Sequence, residues 1–469
     1  MSTDMNITSK HYRDCSFWLE DSGDLLTPRQ PLQRSEEVDV AVLGAGYTGL
    51  WTAYYLLRQN PGLKVAVVER EIAGYGASGR NGGWCSPRFP VSASAMTRRW
   101  GAEAARGVLF ALQHAVESIR DVSEEEGIDA CFRPAGTLTV ARGPHQFPAL
   151  HSAYKAYERL GMADHYKLLT PEEVAERIRI TDVHGGLCTS DGASLHPGRL
   201  VRGLARAVEM RGGVIYEQTQ VLDYKTGANA SLITPAGELR ARRAIVLAGE
   251  AYLTRLPSLH RALMPAYSLI SLTEPLTPAQ WSQIGWEAGE NLSSMRNTVV
   301  YLTKTPDGRI LFGSRGAPYA FGSAITDTQD RHAETHALIQ RMVREWFPAL
   351  ESVRFTHNWG GPVGMPIDWT PAVRFDPGRK LAFAGGYTGQ GVSTANLAGQ
   401  LLAAMIAGRQ TGFEGLPFVN RRSPNWIPEP LRWLVVRYMQ GALQRIDEAA
   451  ESGRPAPLDA PFAQFLGKH

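Results

Sequence analysis

The chain has 469 residues, 43% hydrophobic and 20% charged, which is enough apolar material for two or more intimately joined domains. A net charge of +3, with cationic residues scattered rather than striped, excludes a nucleic-acid-binding protein. Cys15, Cys85, Cys131 and Cys188 lie far apart with no CxxC pair, so neither a disulfide framework nor a zinc site is suggested, no metal is expected, and the cysteines read as free thiols of a reducing compartment.

Residues 1–37 form a polar leader with one amphipathic island, Ser16 to Leu19, expected to lie over the main body. The leader lacks the apolar core of a signal peptide, and the longest apolar stretch, near 397–407, is too short to span a bilayer, so a cytoplasmic protein is expected. The organising stretch follows. At 38–49, VDVAVLGAGYTG, an apolar strand runs into Gly44, Ala45, Gly46, Tyr47, Thr48 and Gly49, and the helical spacing of Leu50, Ala53, Tyr54 and Leu57 continues it. Strand, glycine turn and helix N-terminus suit a pyrophosphate. The next strand, in VAVVER at 65–70, ends at Glu69, where a ribose hydroxyl would donate to it, which makes the unit a dinucleotide-binding βαβ.

The segment 71–89 sets Ser78, Gly79, Arg80, Asn81, Gly82 and Gly83 together, a loop suited to pass close to a polar, anionic ligand. Helical patterning covers 103–126 and 147–160, a strand covers 136–142, and Thr170 with Glu173 has the capping-box spacing; all are expected outside the dinucleotide-binding unit. His196 and Pro197 open another helix that ends at Gly212 and Gly213. Strands at 214–221 and 242–249, the latter ending at Ala248 and Gly249, are expected to extend the sheet. From 256 to 354 alternating strands, a TPDG hairpin at 305–308 and a helix at 330–346 suggest an antiparallel, substrate-holding domain.

A strand at 381–384 then meets a second glycine turn with Gly385, Gly386, Tyr387, Gly389, Gln390, Gly391 and Val392, and again a helix follows. If the dinucleotide is a flavin, the positive end of that helix suits the pyrimidine edge of the ring, where reduction leaves negative charge. The tail beyond 423 carries Trp426, Leu431, Trp433, Leu434, Val435, Tyr438 and Met439 on an expected amphipathic helix, which either docks on the dinucleotide-binding domain or meets a membrane surface or a second subunit.

DVAVLGAGYTGL, GYGASGRNGGW, LHPGRLVRGLA, SLTEPL, DGRILFGSRGAPY, NWGGPVG and FAGGYTGQGVSTANLAGQLL together resemble the FAD-dependent amine oxidoreductases of the D-amino-acid oxidase superfamily, and within it the gamma-glutamylputrescine oxidase group. The resemblance implies an α/β fold: a discontinuous, Rossmann-like FAD-binding domain at 1–90, 187–255 and 355–420, and an inserted α+β substrate domain on a large antiparallel sheet at 91–186 and 256–354, with a helical extension at 421–469. It implies FAD as cofactor, with the pyrophosphate at Gly44, Gly46 and Gly49, the ribose at Glu69, Arg70 near the adenosine, residues 78–83 along the pyrophosphate and flavin edge, Val221 at the adenine, and residues 389–392 at the pyrimidine edge. It also implies oxidation of a carbon–nitrogen bond to an imine that hydrolyses to a carbonyl. Many relatives carry an arginine two residues after the tyrosine matching Tyr301; here that position is Thr303, followed by Lys304, so the resemblance by itself does not assign the usual substrate.

A flavin supplies the hydride acceptor, so no strong base is required; the protein must hold a neutral amine beside it. Candidates on the substrate side are Tyr252, Tyr301, Arg315, His357, Trp359 and Tyr387. Tyr301 and Trp359 equally fit sheet-packing aromatics, and His357 a structural histidine; Arg315, beside glycines, is the candidate for an anionic substrate group. Cys85 reads as a buried thiol rather than a flavin tether. The leading expectation is an amine oxidase that reduces oxygen to peroxide. The alternatives are a dehydrogenase feeding a quinone or a protein partner, and a non-catalytic flavin-binding assembly protein.

Overall fold

A computed structural model describes residues 12–466. Two eight-stranded sheets organise the chain. The first has a parallel centre in the order Leu381–Gly385, Gly237–Leu247, Glu36–Leu43, Val65–Val68 and Val214–Tyr216. These strands are short and rich in valine, alanine and isoleucine, and Val40, Val42, Val67 and Val246 are fully buried, as expected where helices cover both faces. All five strands run the same way, so their C-terminal ends line up at Gly44, Glu69, Glu217, Ala248 and Gly386. Ligands of open parallel sheets sit at this edge.

The helices Tyr47–Gln59 and Gly391–Ala407 pack on this sheet, and Pro197–Met210 joins them through Leu200, Leu204 and Val208. His196 caps the last of these and Pro197 takes its first position, as the sequence suggested. The helix Ala102–Glu125, expected outside the dinucleotide-binding unit, buries Val108, Leu112, Ala115 and Ile119 in the same apolar cluster as Trp51 and Leu401. Its amphipathic stripe shows that one face is covered without saying by what.

The second sheet runs Phe355–Met365, Met264–Thr273, Ile310–Ser314, Val300–Lys304, Asn291–Ser294, Thr137–Arg142, Val183–Thr189 and Lys167–Leu169. Every pairing is antiparallel except that between Asn291–Ser294 and Thr137–Arg142. The expected hairpin turn at 305–308 joins two of its strands, and the expected capping box at Thr170 and Glu173 starts the helix Pro171–Arg177. One face carries the helix Ala333–Trp346, which buries Ile339, Val343 and Trp346. The other faces the C-terminal edge of the first sheet. The fold is therefore the α/β architecture expected, a Rossmann-like unit joined to a large, mostly antiparallel sheet.

The described part of the leader, residues 12–37, lies on the body; residues 1–11 lie outside the described residues. Phe17, Trp18 and Leu19 are buried, and Trp18 Nε1 donates to the Asn81 carbonyl at 2.8 Å. The tail departs from expectation in two respects. Trp426 precedes the helix, which begins at Leu431 after Pro428 and Pro430. The helix Leu431–Glu451 docks mainly on the second sheet and its loops: Asp447 accepts from Asn297 N, Asn297 Nδ2 and Thr298 N, and Val436 packs with Met264 and Tyr319. Among the described residues no helix is long and apolar enough to cross a membrane.

Candidate active site

Between the two sheets lies a cavity of about 810 Å³, toward the upper end of ordinary ligand pockets, whose span is about 300–1,000 Å³. Its floor is the C-terminal edge of the parallel sheet. Gly44, at φ 103°, makes the turn; a Cβ there would fall 2.8 Å from the Ala248 carbonyl oxygen. Gly49 admits no side chain, because a Cβ would fall 1.9 Å from the Gly44 oxygen, so helix and strand pack at backbone distance. Gly46 and Gln390 are the N-cap residues of the two helices that begin at the cavity, and neither contributes a side-chain cap. Two positive helix ends thus face one space, an arrangement that suits anionic phosphate and a negatively charged ring edge.

Glu69 lies at the floor, with its carboxylate accepting from Ala45 N and Glu71 N at 2.9 and 3.0 Å. Burial outweighs those bonds and pushes its pKa up to about 7. Glu250, which the sequence reading missed, has the same character. Its carboxylate accepts from Gly386 N and Tyr387 N at 3.0 and 2.9 Å, pinning the second glycine turn, and burial again raises it to about 7. The signal was available: Glu250 follows a glycine at the end of a parallel strand, as Glu69 ends another.

The loop 78–83 passes over the floor, but Arg80 is not free for an anion. Its guanidinium is buried against Asp330 at 2.6 Å, donates to the Tyr75 and Gly360 carbonyls, and stacks on Tyr75. It ties the loop to the second sheet. Asn81 staples the loop internally, donating to the Ala77 and Ser78 carbonyls and accepting from Gly83 N, while Ser78 Oγ accepts from Tyr47 N. Gly79, Gly83 and Gly386 shape these turns without lining the cavity; Arg70 and Val221 line it at the Glu69 end.

The roof is a cross-strand row of the second sheet. Ile270 pairs with Gly313, Gly313 with Tyr301, Tyr301 with Ser293, Ser293 with Thr139, and Thr139 with Leu187. Tyr301 hydrogen-bonds Ser268 Oγ at 2.9 Å, and Tyr387, on the floor side, meets Thr48 Oγ1 at 2.9 Å. Burial raises the pKa of Tyr252, Tyr301 and Tyr387, so all three stay protonated at neutral pH. Arg315 lines the cavity beside the second glycine turn, where it donates to the Thr388 carbonyl. Desolvation lowers its pKa and Tyr301 opposes that, so among the described residues no carboxylate neutralises it.

Two expected substrate residues lie elsewhere. His357 pairs with Glu20 at 3.0 Å and meets Phe17 edge-on, and Trp359 Nε1 donates to the Arg80 carbonyl at 2.9 Å beneath the leader helix. The leader, rather than a ligand, covers that end of the strand. Cys85 is buried outside the cavity lining, and burial raises its thiol well above the usual range.

Residues 39–405 match the FAD dependent oxidoreductase family (DAO). The chain belongs to this family. It is 33% identical over 380 residues to the probable oxidoreductase OrdL of Rhizobium meliloti, covering 80% of this chain and 85% of that one. It is 28% identical over 402 residues to the gamma-glutamylputrescine oxidoreductase of Escherichia coli, covering 84% and 90%. In structure it resembles glycine oxidase from Geobacillus kaustophilus, with a TM-score of 0.68 at 22% identity over 83% of this chain and 99% of that one. FAD is accordingly the cofactor, and the floor fits it: a turn no side chain can enter, two uncapped helix ends and a carboxylate at the end of the second strand.

Proposed function

We propose that this oxidoreductase oxidises the carbon–nitrogen bond of an amine, giving an imine that hydrolyses to a carbonyl, with oxygen reduced to hydrogen peroxide. FAD supplies the hydride acceptor. The observation that carries the reading is the electrical character of the roof, where Arg315 stands without a carboxylate partner among the described residues, beside protonated tyrosines and apolar side chains. Positive potential and desolvation both disfavour an ammonium ion, so an amine entering this space is held neutral, the form that can lose hydride. Tyr301 and Tyr252 contribute shape and hydrogen bonds rather than proton abstraction. Names among the relatives point the same way, toward gamma-glutamylputrescine and glycine.

An anaerobic screen of amines against the yellow FAD-loaded protein tests the reading. A matching amine bleaches the flavin under nitrogen, and air restores it with one peroxide per turnover; failure of every amine and amino acid to bleach it would refute it. A second acceptor is favoured by Leu431, Leu434 and Val435, an exposed apolar stripe on the C-terminal helix suited to a membrane surface or partner. Reoxidation that is slow in oxygen and fast with a soluble quinone selects that alternative.

A further inference from the structure

A second, smaller cavity of about 270 Å³ shares no lining residue with the first. Strand register builds its floor. Ala372–Asp376 runs antiparallel to Leu381–Gly385, pairing Arg374 with Phe383 and Ala372 with Gly385. Side chains alternate along a strand, so these four share one face, and all four line the cavity. Val373, Ala382 and Ala384 face the other way, into the helix-covered core. The Arg374 guanidinium lies over the Phe383 ring, 4.5 Å from its centre.

The wall comes from beyond the residues that match the family: Arg422, Ser423 and Asn425. Trp426 holds this segment in place, with its backbone N donating to the Arg261 carbonyl at 2.8 Å and Nε1 to the Met365 carbonyl at 2.7 Å. Other arginines drawn into the structure are matched by carboxylates: Arg80 by Asp330, Arg202 by Asp24, Arg421 by Asp368, Arg432 by Glu429. Among the described residues Arg374 and Arg422 pair with none. Burial lowers the pKa of Arg374, Arg422 and Arg379 lower it further by repulsion, and the Tyr224 phenol opposes them. Two guanidinium groups held beside one cavity repel until an anion lies between them, and each presents a planar fork that fits an oxyanion.

The cavity also abuts the second glycine turn. Gly385 lines it, whereas Tyr387, two residues on, lines the FAD cavity. A Cβ at Gly386 would fall 3.1 Å from Pro366 Cγ and 3.4 Å from Leu263 Cδ2, and Pro366 and Leu263 are themselves lining residues of the smaller cavity. An occupant there packs against the back of the turn that Glu250 pins from the other side.

We infer that Arg374 and Arg422 form an effector site for a small oxyanion, a phosphate or a short carboxylate, whose binding steadies the second glycine turn and so tightens FAD. The size of the cavity, just under the usual span of about 300–1,000 Å³, selects a small occupant. The site stands independently of which compound the enzyme oxidises.

FAD-loaded protein is titrated by calorimetry with inorganic phosphate and with butyrate at fixed chloride. One anion binds per chain; tighter phosphate identifies a phosphate site, and tighter butyrate a carboxylate whose chain lies on Phe383. Arg422→Gln and Arg374→Gln each weaken binding by at least about tenfold, the value of one lost charged hydrogen bond. Arg341→Gln, which removes an exposed charge from the helix covering the second sheet, leaves affinity within about threefold. Should Arg374→Gln fail to fold, Arg422→Glu replaces it, since Arg422 is exposed, and it abolishes binding. Release of FAD on dilution, followed by the fluorescence of the freed flavin, drops about fivefold at saturating anion in the wild type and is unchanged by anion in Arg422→Gln. No binding of either anion at millimolar concentration overturns the site, and so does an affinity lost in Arg315→Gln but kept in Arg422→Gln, which puts the anion in the FAD cavity. Anion binding that leaves FAD release unchanged overturns the link to the turn.

Discussion

Glu69→Gln is the sharpest probe of how the floor holds FAD. In the cofactor-free protein burial puts the Glu69 carboxyl at about 7, held by Ala45 N and Glu71 N on separate oxygens. With Glu69 assigned to the ribose, the ribose hydroxyls would donate to its ionised form, so binding FAD draws the pKa down and affinity rises with pH. With a starting value near 7, about one molecule in thirty is ionised at pH 5.5 and nearly all at pH 8.5, so FAD affinity falls about thirtyfold between pH 8.5 and 5.5. The amide cannot ionise, which flattens this slope. It also exchanges charged hydrogen bonds for neutral ones and turns an NH2 toward one of the two backbone N–H groups, for a loss of about 2–3 kcal/mol, or about 30- to 150-fold at pH 8.5. Quenching of free FAD fluorescence, titrated across the pH range, measures both effects. Glu250→Gln is the control, because Glu250 titrates in the same range but touches the second glycine turn; the slope due to Glu69 persists in it. A Glu69→Gln protein that binds FAD as tightly as the wild type and keeps its pH slope would refute the assignment.

Gly44→Ala places a Cβ 2.8 Å from a backbone oxygen at φ 103°, costing at least about 1–3 kcal/mol locally, and the purified protein retains far less than one FAD per chain by absorbance. Arg80→Met leaves the buried Asp330 without its partner; a loss of about 3–5 kcal/mol is expected, seen as a lowered Tm, and Arg80→Met with Asp330→Leu recovers most of it. Asp447→Ala removes the acceptor for three donors at 297 and 298, lowers Tm, and speeds proteolysis near 293–298, while FAD affinity stays unchanged.

The dinucleotide floor was legible because its signals are local. A strand, a glycine turn, a helix and an acid at the next strand end fall within 38–69, and the second turn at 385–392 repeats the pattern. The roof was legible only in part. Tyr301 and Arg315 reach the cavity, whereas His357 and Trp359, on a strand of the same sheet, meet the leader helix instead, and nothing in the strand itself says what covers its end. Arg80 looked like an anion ligand because its neighbours are glycines. Its partner Asp330 is 250 residues away, a separation at which a charge pair leaves no sequence pattern.

The C-terminal helix belongs to the roof's argument rather than the floor's. Residues 39–405 match the family, and the helix Leu431–Glu451 lies beyond them. Yet it grips 296–298 through Asp447, and Glu451 pairs with Arg296 at 2.9 Å, so it holds the segment that follows directly on Ser293 to Met295 of the cavity lining. Removing a buried, multiply bonded carboxylate from such a segment frees the roof while the glycine turns and Glu69 keep their partners. The floor fits the FAD of the family and is built from backbone that tolerates little change, since Gly44 and Gly49 admit no side chain. The roof must recognise one substrate, and it is steadied here by residues outside the matched region. On the proposed reading, specificity lies with the part of the roof around Tyr301 and Arg315, and the tail steadies the neighbouring segment 296–298.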